Sequence, residues 1–268
     1  MTEKILGGQI PMTPAHAIRG DIISGGTILS EVDLCAAVVA SSQLSQPDIA
    51  MVTRAMNEVE FKRQVRVGDV LSCYGSVTRL GTTSVTVDID VQVRRRREII
   101  QVTEATAIFV AIGADGKAQP IKPGAASAAP KQLIKPPSPL QLTPERGELV
   151  LRKVMMPNET NGMGNIFGGR LMSYLEWAGS TLAEQTCSNH NVEACVTRFM
   201  DKIEFREPVK VNDIVSCYGS VKRVGTTSIA VHIEVEANRR GVIIPVTCAD
   251  LVLVAVDRWG NKIPVHSR

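Results

Sequence analysis

The sequence predicts an α+β fold, present twice in one chain. Three observations carry this. The first is an internal repeat: SCYGSV at 72–77 returns at 216–221, and GTTS at 81–84 returns at 225–228. At this offset of 144, residues 52–121 match 196–265 at 34 of 70 positions, far beyond chance. The second is one apolar helical stretch per copy, opened by a Gly-Gly pair. The third is a set of alternating, β-branched runs after each helical stretch. A period this long in two copies is a tandem domain, because a solenoid stacks three or more short units.

The elements follow in order. ISGGTILSEVD (23–33) matches IFGGRLMSYLE (166–176) at offset 143, so the second copy gains one residue between the two blocks. These blocks predict helices over 25–42 and 168–185. In the first, Ile28, Val32, Cys35 and Val39 share a stripe. The helix has almost no polar face, so it is expected to be buried nearly all round. VTRAMNEVEF, VLSCYGSV, SVTVDIDVQV and VTEATAIFVAI read as strands, with turns at Gly81 and Gly225. One helix followed by four or more strands packs on an antiparallel sheet. Between the copies, 122–145 holds six of the 14 prolines and reads as a semi-rigid linker. The expected domains are 1–121 and 146–268.

Composition excludes several classes. The 268 residues are 44% hydrophobic and 21% charged, which argues against wholesale disorder. A net charge of +3 and 4% aromatics give no signal for nucleic acid. No apolar stretch is long enough for a membrane helix, and the N-terminus lacks the apolar core of a secretory signal. The six cysteines form no CxxC and no zinc-spaced cluster, so no metal is expected. They read as reduced and buried, which points to the cytoplasm.

Two acids stand out, Asp33 and Glu176, each in the middle of an apolar helix. Asp33 shares its face with Leu29, Ala36, Ala37 and Ala40, and Glu176 with Met172, Gly179, Ser180 and Ala183. A carboxylate in an apolar setting has its pKa pushed up, which suits a general base. A solvated or Arg-paired acid is the alternative reading.

TNGMGNIFGGRLMSYLEWAGS (160–180) resembles the hotdog-fold acyl-CoA thioesterases of the brain acyl-CoA hydrolase type and their short bacterial relatives. Residues 201–235 fit that family's sheet. The resemblance implies a tandem double hotdog, each half a long helix wrapped by an antiparallel sheet. It implies hydrolysis of acyl-CoA to a free acid and CoA without cofactor. It also implies a homo-oligomer, a trimer of double hotdogs.

The family pairs an acid on one helix with an Asn before the helix of the other hotdog. The acid maps to Asp33 and Glu176, and the Asn maps to Asn161. The first-copy counterpart of Asn161 is Ile18. One composite site is therefore expected to hold Asp33 and Asn161, and a degenerate one Glu176 and Ile18. In the intact site Asp33 acts as base or nucleophile, Asn161 orients water or carbonyl, and the N–H groups of Gly168 and Gly169 form an oxyanion hole.

The phosphates of CoA call for cations. Arg95 and Arg96, their repeats Arg239 and Arg240, and Arg54 and Arg198 of the repeated VTR are the candidates. A solvated turn is the alternative for the first four. A dehydratase would need a catalytic His, but the counterpart of His16 is Glu159. A non-catalytic acyl-CoA sensor or scaffold is the other alternative.

Overall fold

The computed structural model describes residues 4–42, 44, 46, 49–122, 147–161 and 164–266. Of the expected linker, only Lys122 lies within them. The first copy contains β1 (Ile5–Pro11), β2 (Ala17–Arg19), β3 (Ile22–Ile23), α1 (Gly25–Ser41), β4 (Ala50–Met56), β5 (Val59–Glu60), β6 (Val70–Leu80), β7 (Ser84–Arg95) and β8 (Glu98–Ile112). The second contains β9 (Glu148–Val154), α2 (Gly168–Thr186), β10 (Ala194–Met200), β11 (Ile203–Glu204), β12 (Ile214–Val224), β13 (Ser228–Arg239) and β14 (Val242–Val256).

The repeat in sequence is a repeat in register. β6 pairs with β7 from Val70↔Arg94 to Leu80↔Val85, and β12 with β13 from Ile214↔Asn238 to Val224↔Ile229. Both pairs shift at the same place, between Val77 and Arg79 and between Val221 and Arg223. Period-two alternation buries Val85, Val87, Ile89, Val91 and Val93 of β7. Each such side chain contributes roughly 1.5–3 kcal/mol when fully buried. The inner face of each sheet wraps its own helix.

Each six-stranded sheet borrows an edge from the other copy. The orders are β1-β6-β7-β8-β4-β11 and β5-β10-β14-β13-β12-β9. β11 pairs with β4 (Ile203↔Met56), and β5 pairs with β10 (Met200↔Val59). This exchange joins the halves through backbone bonds as well as through the packing of α1 on α2.

One expectation is corrected. α1 is not buried all round, because Leu34 and Val38 are 47% and 50% exposed. Its buried stripe carries Ile28, Val32, Cys35 and Val39 as expected. All six cysteines carry free thiols, four of them buried.

Candidate active site

Helical spacing turns Asp33 of α1 toward the start of α2, where it is fully buried. A helix start leaves its first N–H groups without partners. At α2 the N-cap residue is Phe167, which makes no side-chain cap. Asp33 supplies the acceptor from the other copy: Gly169 N–H donates to its Oδ2 at 2.7 Å. Thr53 on β4 donates its hydroxyl to Oδ1 at 2.7 Å. The helix dipole also favours a carboxylate there. Burial opposes these effects and wins. It raises Asp33 from the usual 3.8 to about 6, with Thr53 and Gly169 offsetting it only in part.

Gly169 is required by this contact. A Cβ there would lie 2.9 Å from Asp33 Cβ and 2.9 Å from Ser30 Cα. The helices therefore cross at a distance that only glycine permits.

A cavity of about 650 Å³ opens beside Thr53, the hydroxyl partner of the carboxylate. Thr53, Gly168, Asn161, Leu171, Phe205 and Arg54 lie on its wall. Asp33 sits behind Thr53 and the Gly168–Gly169 turn. Asn161 is held locally: its Oδ1 accepts Asn165 N–H at 3.2 Å, and its carbonyl accepts Gly164 N–H at 3.0 Å. The first of these bonds holds the side-chain amide, and Asn161 lies on the cavity wall. Asn161 of one copy thus lines the cavity, and Asp33 of the other lies behind its wall, bonded to the lining residue Thr53.

The expected oxyanion hole changes in one respect. Gly169 N–H is held by Asp33, so it is not a donor to a ligand oxygen while that bond lasts. Gly168 N–H, at the first helical position, has no acceptor within its own helix and borders the cavity.

The mirror site differs. Glu176 is also buried, and Thr197 donates to its Oε1 at 2.6 Å. Burial pushes its carboxyl up, with Thr197 and the amides of Gly26 and Gly25 opposing. The adjoining cavity is only about 330 Å³. Ile18 packs at the small apolar cluster of Ile22, Ala194, Val254 and Val256, where the other site has Asn161. Arg66 reaches from one copy to the Trp259 carbonyl in the other, and also donates to Asp21 at 2.8 Å.

The arginines divide sharply. Arg95 forks onto buried Asp69 through Nε and Nη2, both at 2.8 Å, and Arg239 forks onto buried Asp213. Arg95 and Arg239, both expected above as phosphate ligands, therefore spend Nε and Nη2 on carboxylates. Arg96 and Arg240 occupy the tight turns after β7 and β13, with φ of 56° and 51°. Arg198 pairs with Glu60 at 2.8 Å. Arg54 borders the large cavity. His16 closes a turn by accepting Thr13 N–H at Nδ1, 3.0 Å away. Among the described residues, no group of three or more His, Cys, Asp or Glu could hold a metal, and no helix is long and apolar enough to cross a membrane.

Thr53 is a site residue that the sequence reading passed over. Its signal was present in the repeated Val-Thr-Arg, at 52–54 and 196–198, where the arginine drew attention. The threonine is the residue that touches the acid in both copies.

The thioesterase superfamily model matches this chain twice, over residues 20–100 and 163–244. The chain belongs to the thioesterase superfamily. It is 39% identical over 128 residues to the acyl-CoA thioester hydrolase YciA of Salmonella typhimurium, covering 46% of this chain and 92% of that protein. Two solved thioesterases span both copies. An acyl-ACP thioesterase from Bacteroides thetaiotaomicron superposes with a TM-score of 0.61 at 15% identity, over 92% of this chain and 96% of that one. The 12:0-ACP thioesterase from Umbellularia californica gives 0.63 at 11% identity, over 92% and 93%. At such identities they show the fold, and this thioesterase is the double hotdog that its sequence resembles.

Proposed function

We propose that this thioesterase hydrolyses acyl-CoA to a free carboxylic acid and CoA at one composite site. The observation that carries this is the buried Asp33, seated on the start of the other copy's helix and bonded to Thr53, which lines a cavity together with Asn161. Its similarity to YciA, named an acyl-CoA thioester hydrolase, supports the substrate class.

The geometry suits the chemistry. A thioester is electrophilic and its thiolate leaves readily, so a base, an oriented water and an oxyanion donor suffice. Thr53 and Gly169 take one lone pair on each oxygen of Asp33, and a carboxylate retains capacity for a water. Asp33 takes a proton from that water as it attacks the carbonyl carbon. Gly168 N–H stabilises the oxyanion, Asn161 orients water or carbonyl, and the proton follows the leaving thiolate. Glu176 and Ile18 make the other site degenerate. The copies form domains 1–121 and 146–268 joined by 122–145, and three chains assemble. Exposed Ile5, Leu6, Leu34 and Val38 offer apolar contacts for that assembly.

CoA release from short, medium and long acyl-CoAs, read by mass spectrometry, tests the assignment. Turnover by the wild type is expected, and none on any chain length would replace the enzyme with a binding module. Glu176→Gln is expected to keep more than half the rate, and an inactive variant would place the chemistry at the other acid.

The pH profile gives a second check. Asp33 must be ionised to act as base, and its folded pKa is about 6. Below that value kcat/KM is expected to fall about tenfold per pH unit, and above it to level off. A profile flat between pH 4.5 and 8 would remove Asp33 as the base.

A further inference from the structure

The duplication supplies an internal control for charge. Beside the smaller cavity two cations are neutralised: Arg198 pairs with Glu60 at 2.8 Å, and Lys62 with Glu104 at 3.2 Å. At offset 144 the same positions are Arg54 and Arg206, both on the wall of the larger cavity. Their acids are lost or diverted. Glu104 is replaced by Cys248. Glu204, the counterpart of Glu60, pairs with Lys202, where the first copy has Glu58.

The result is two guanidiniums without carboxylate partners among the described residues. Nε and Nη1 of Arg206 are buried and meet no hydrogen-bond acceptor. Arg54 is held below its ordinary pKa, first by burial, with the Arg206 charge adding to the effect and Glu204 and Glu207 opposing it. Lys210 adds another cation to the wall. The acids on the wall are Glu207 and Asp115, and Asp115 is engaged in its own turn by Lys117 N–H at 3.0 Å. Buried donors of one sign on a cavity wall call for an acceptor of the other.

We infer that Arg54 and Arg206 form an anion-binding subsite of the composite cavity, which grips a multi-oxygen anion carried by the substrate. Planar guanidinium forks match phosphate and carboxylate oxygens. The inference rests on the acyl-CoA reading and adds the residues that would select the substrate's charged end. That anion is a phosphate of CoA or a carboxylate at the far end of the acyl group.

The test compares three thioesters: an acyl-CoA, the same acyl group on N-acetylcysteamine, and an ω-carboxyacyl N-acetylcysteamine. Arg54→Gln and Arg206→Gln are assayed with Arg206→Lys, and with Lys62→Gln as control. Circular dichroism confirms folding. KM for acyl-CoA is expected to rise about tenfold in the Gln variants with kcat kept, the size of one charge-assisted bond. The neutral N-acetylcysteamine thioester is expected to show no change, Arg206→Lys partial rescue, and Lys62→Gln wild-type behaviour. A rise confined to the ω-carboxyacyl thioester identifies the carboxylate as the anion. Unchanged KM for all three substrates in both Gln variants overturns the subsite. If the wild type turns over no thioester, the hydrolase reading fails separately, and equilibrium dialysis of free CoA decides the subsite. Binding weakened in Arg206→Gln supports it, and equal or absent binding overturns it.

Discussion

Asp33→Asn is expected to lower kcat for acyl-CoA hydrolysis by about 10²- to 10⁴-fold, the usual contribution of a positioned base. The substitution is close to isosteric, and the packing around position 33 accepts it. The amide carbonyl can still receive Gly169 N–H, and the amide nitrogen can donate to Thr53, whose hydroxyl is able to accept. What disappears is the basic oxygen. Stability is expected to hold or rise, because the variant buries no charge. The measurement is single-turnover CoA release beside thermal unfolding of the same samples. A variant with most of the wild-type rate would sink the assignment. A variant that is inactive because it is unfolded would reveal itself in the melt.

Much of this arrangement was readable before any coordinates. The offset of 144 aligned the strands, and the register shifts at Val77/Arg79 and Val221/Arg223 show that the copies keep even their irregularities. The acids on apolar helices were visible because burial of a charge breaks the pattern of an apolar stripe. Ile18 as the counterpart of Asn161 carried the expectation of one intact and one degenerate site. The exchange of β5 and β11 was not readable. Two-residue strands are too short to show a period, and their partners lie in the other copy. The forks of Arg95 and Arg239 were hidden for a related reason. Asp69 and Asp213 lie 26 residues away from them in sequence, and only the folded hairpins bring the charges together. Exposure of Leu34 and Val38 contradicted the apolar pattern of α1, because periodicity reports what could be buried and not how much surface the sheet covers. The helix-to-helix cap was also out of reach, since capping in trans leaves no local signature.

That trans cap makes Gly169→Ala the most informative packing change. The added methyl would meet Asp33 Cβ at 2.9 Å, Ser30 Cα at 2.9 Å and the Ser30 carbonyl oxygen at 3.1 Å. Two of these atoms are backbone of α1 and cannot swing aside, so the helices must part. Overpacking of this kind costs about 1–3 kcal/mol. For a chain of this size each kcal/mol lowers Tm by about 2–4 °C. Parting the helices also moves Asp33 off the α2 N-terminus, and a displacement of about 1 Å can cost a hundredfold in rate. Gly26→Ala separates the two effects. Its methyl would meet Ser173 Cα at 2.9 Å and the Ser173 carbonyl oxygen at 3.1 Å, the mirror-image clash beside Glu176. The two variants are expected to lose similar stability, while Gly26→Ala keeps most of its activity and Gly169→Ala does not. Equal loss of activity in both, at equal Tm, would mean that the chemistry does not depend on which copy's carboxylate is displaced, and the single-site assignment would fall with it.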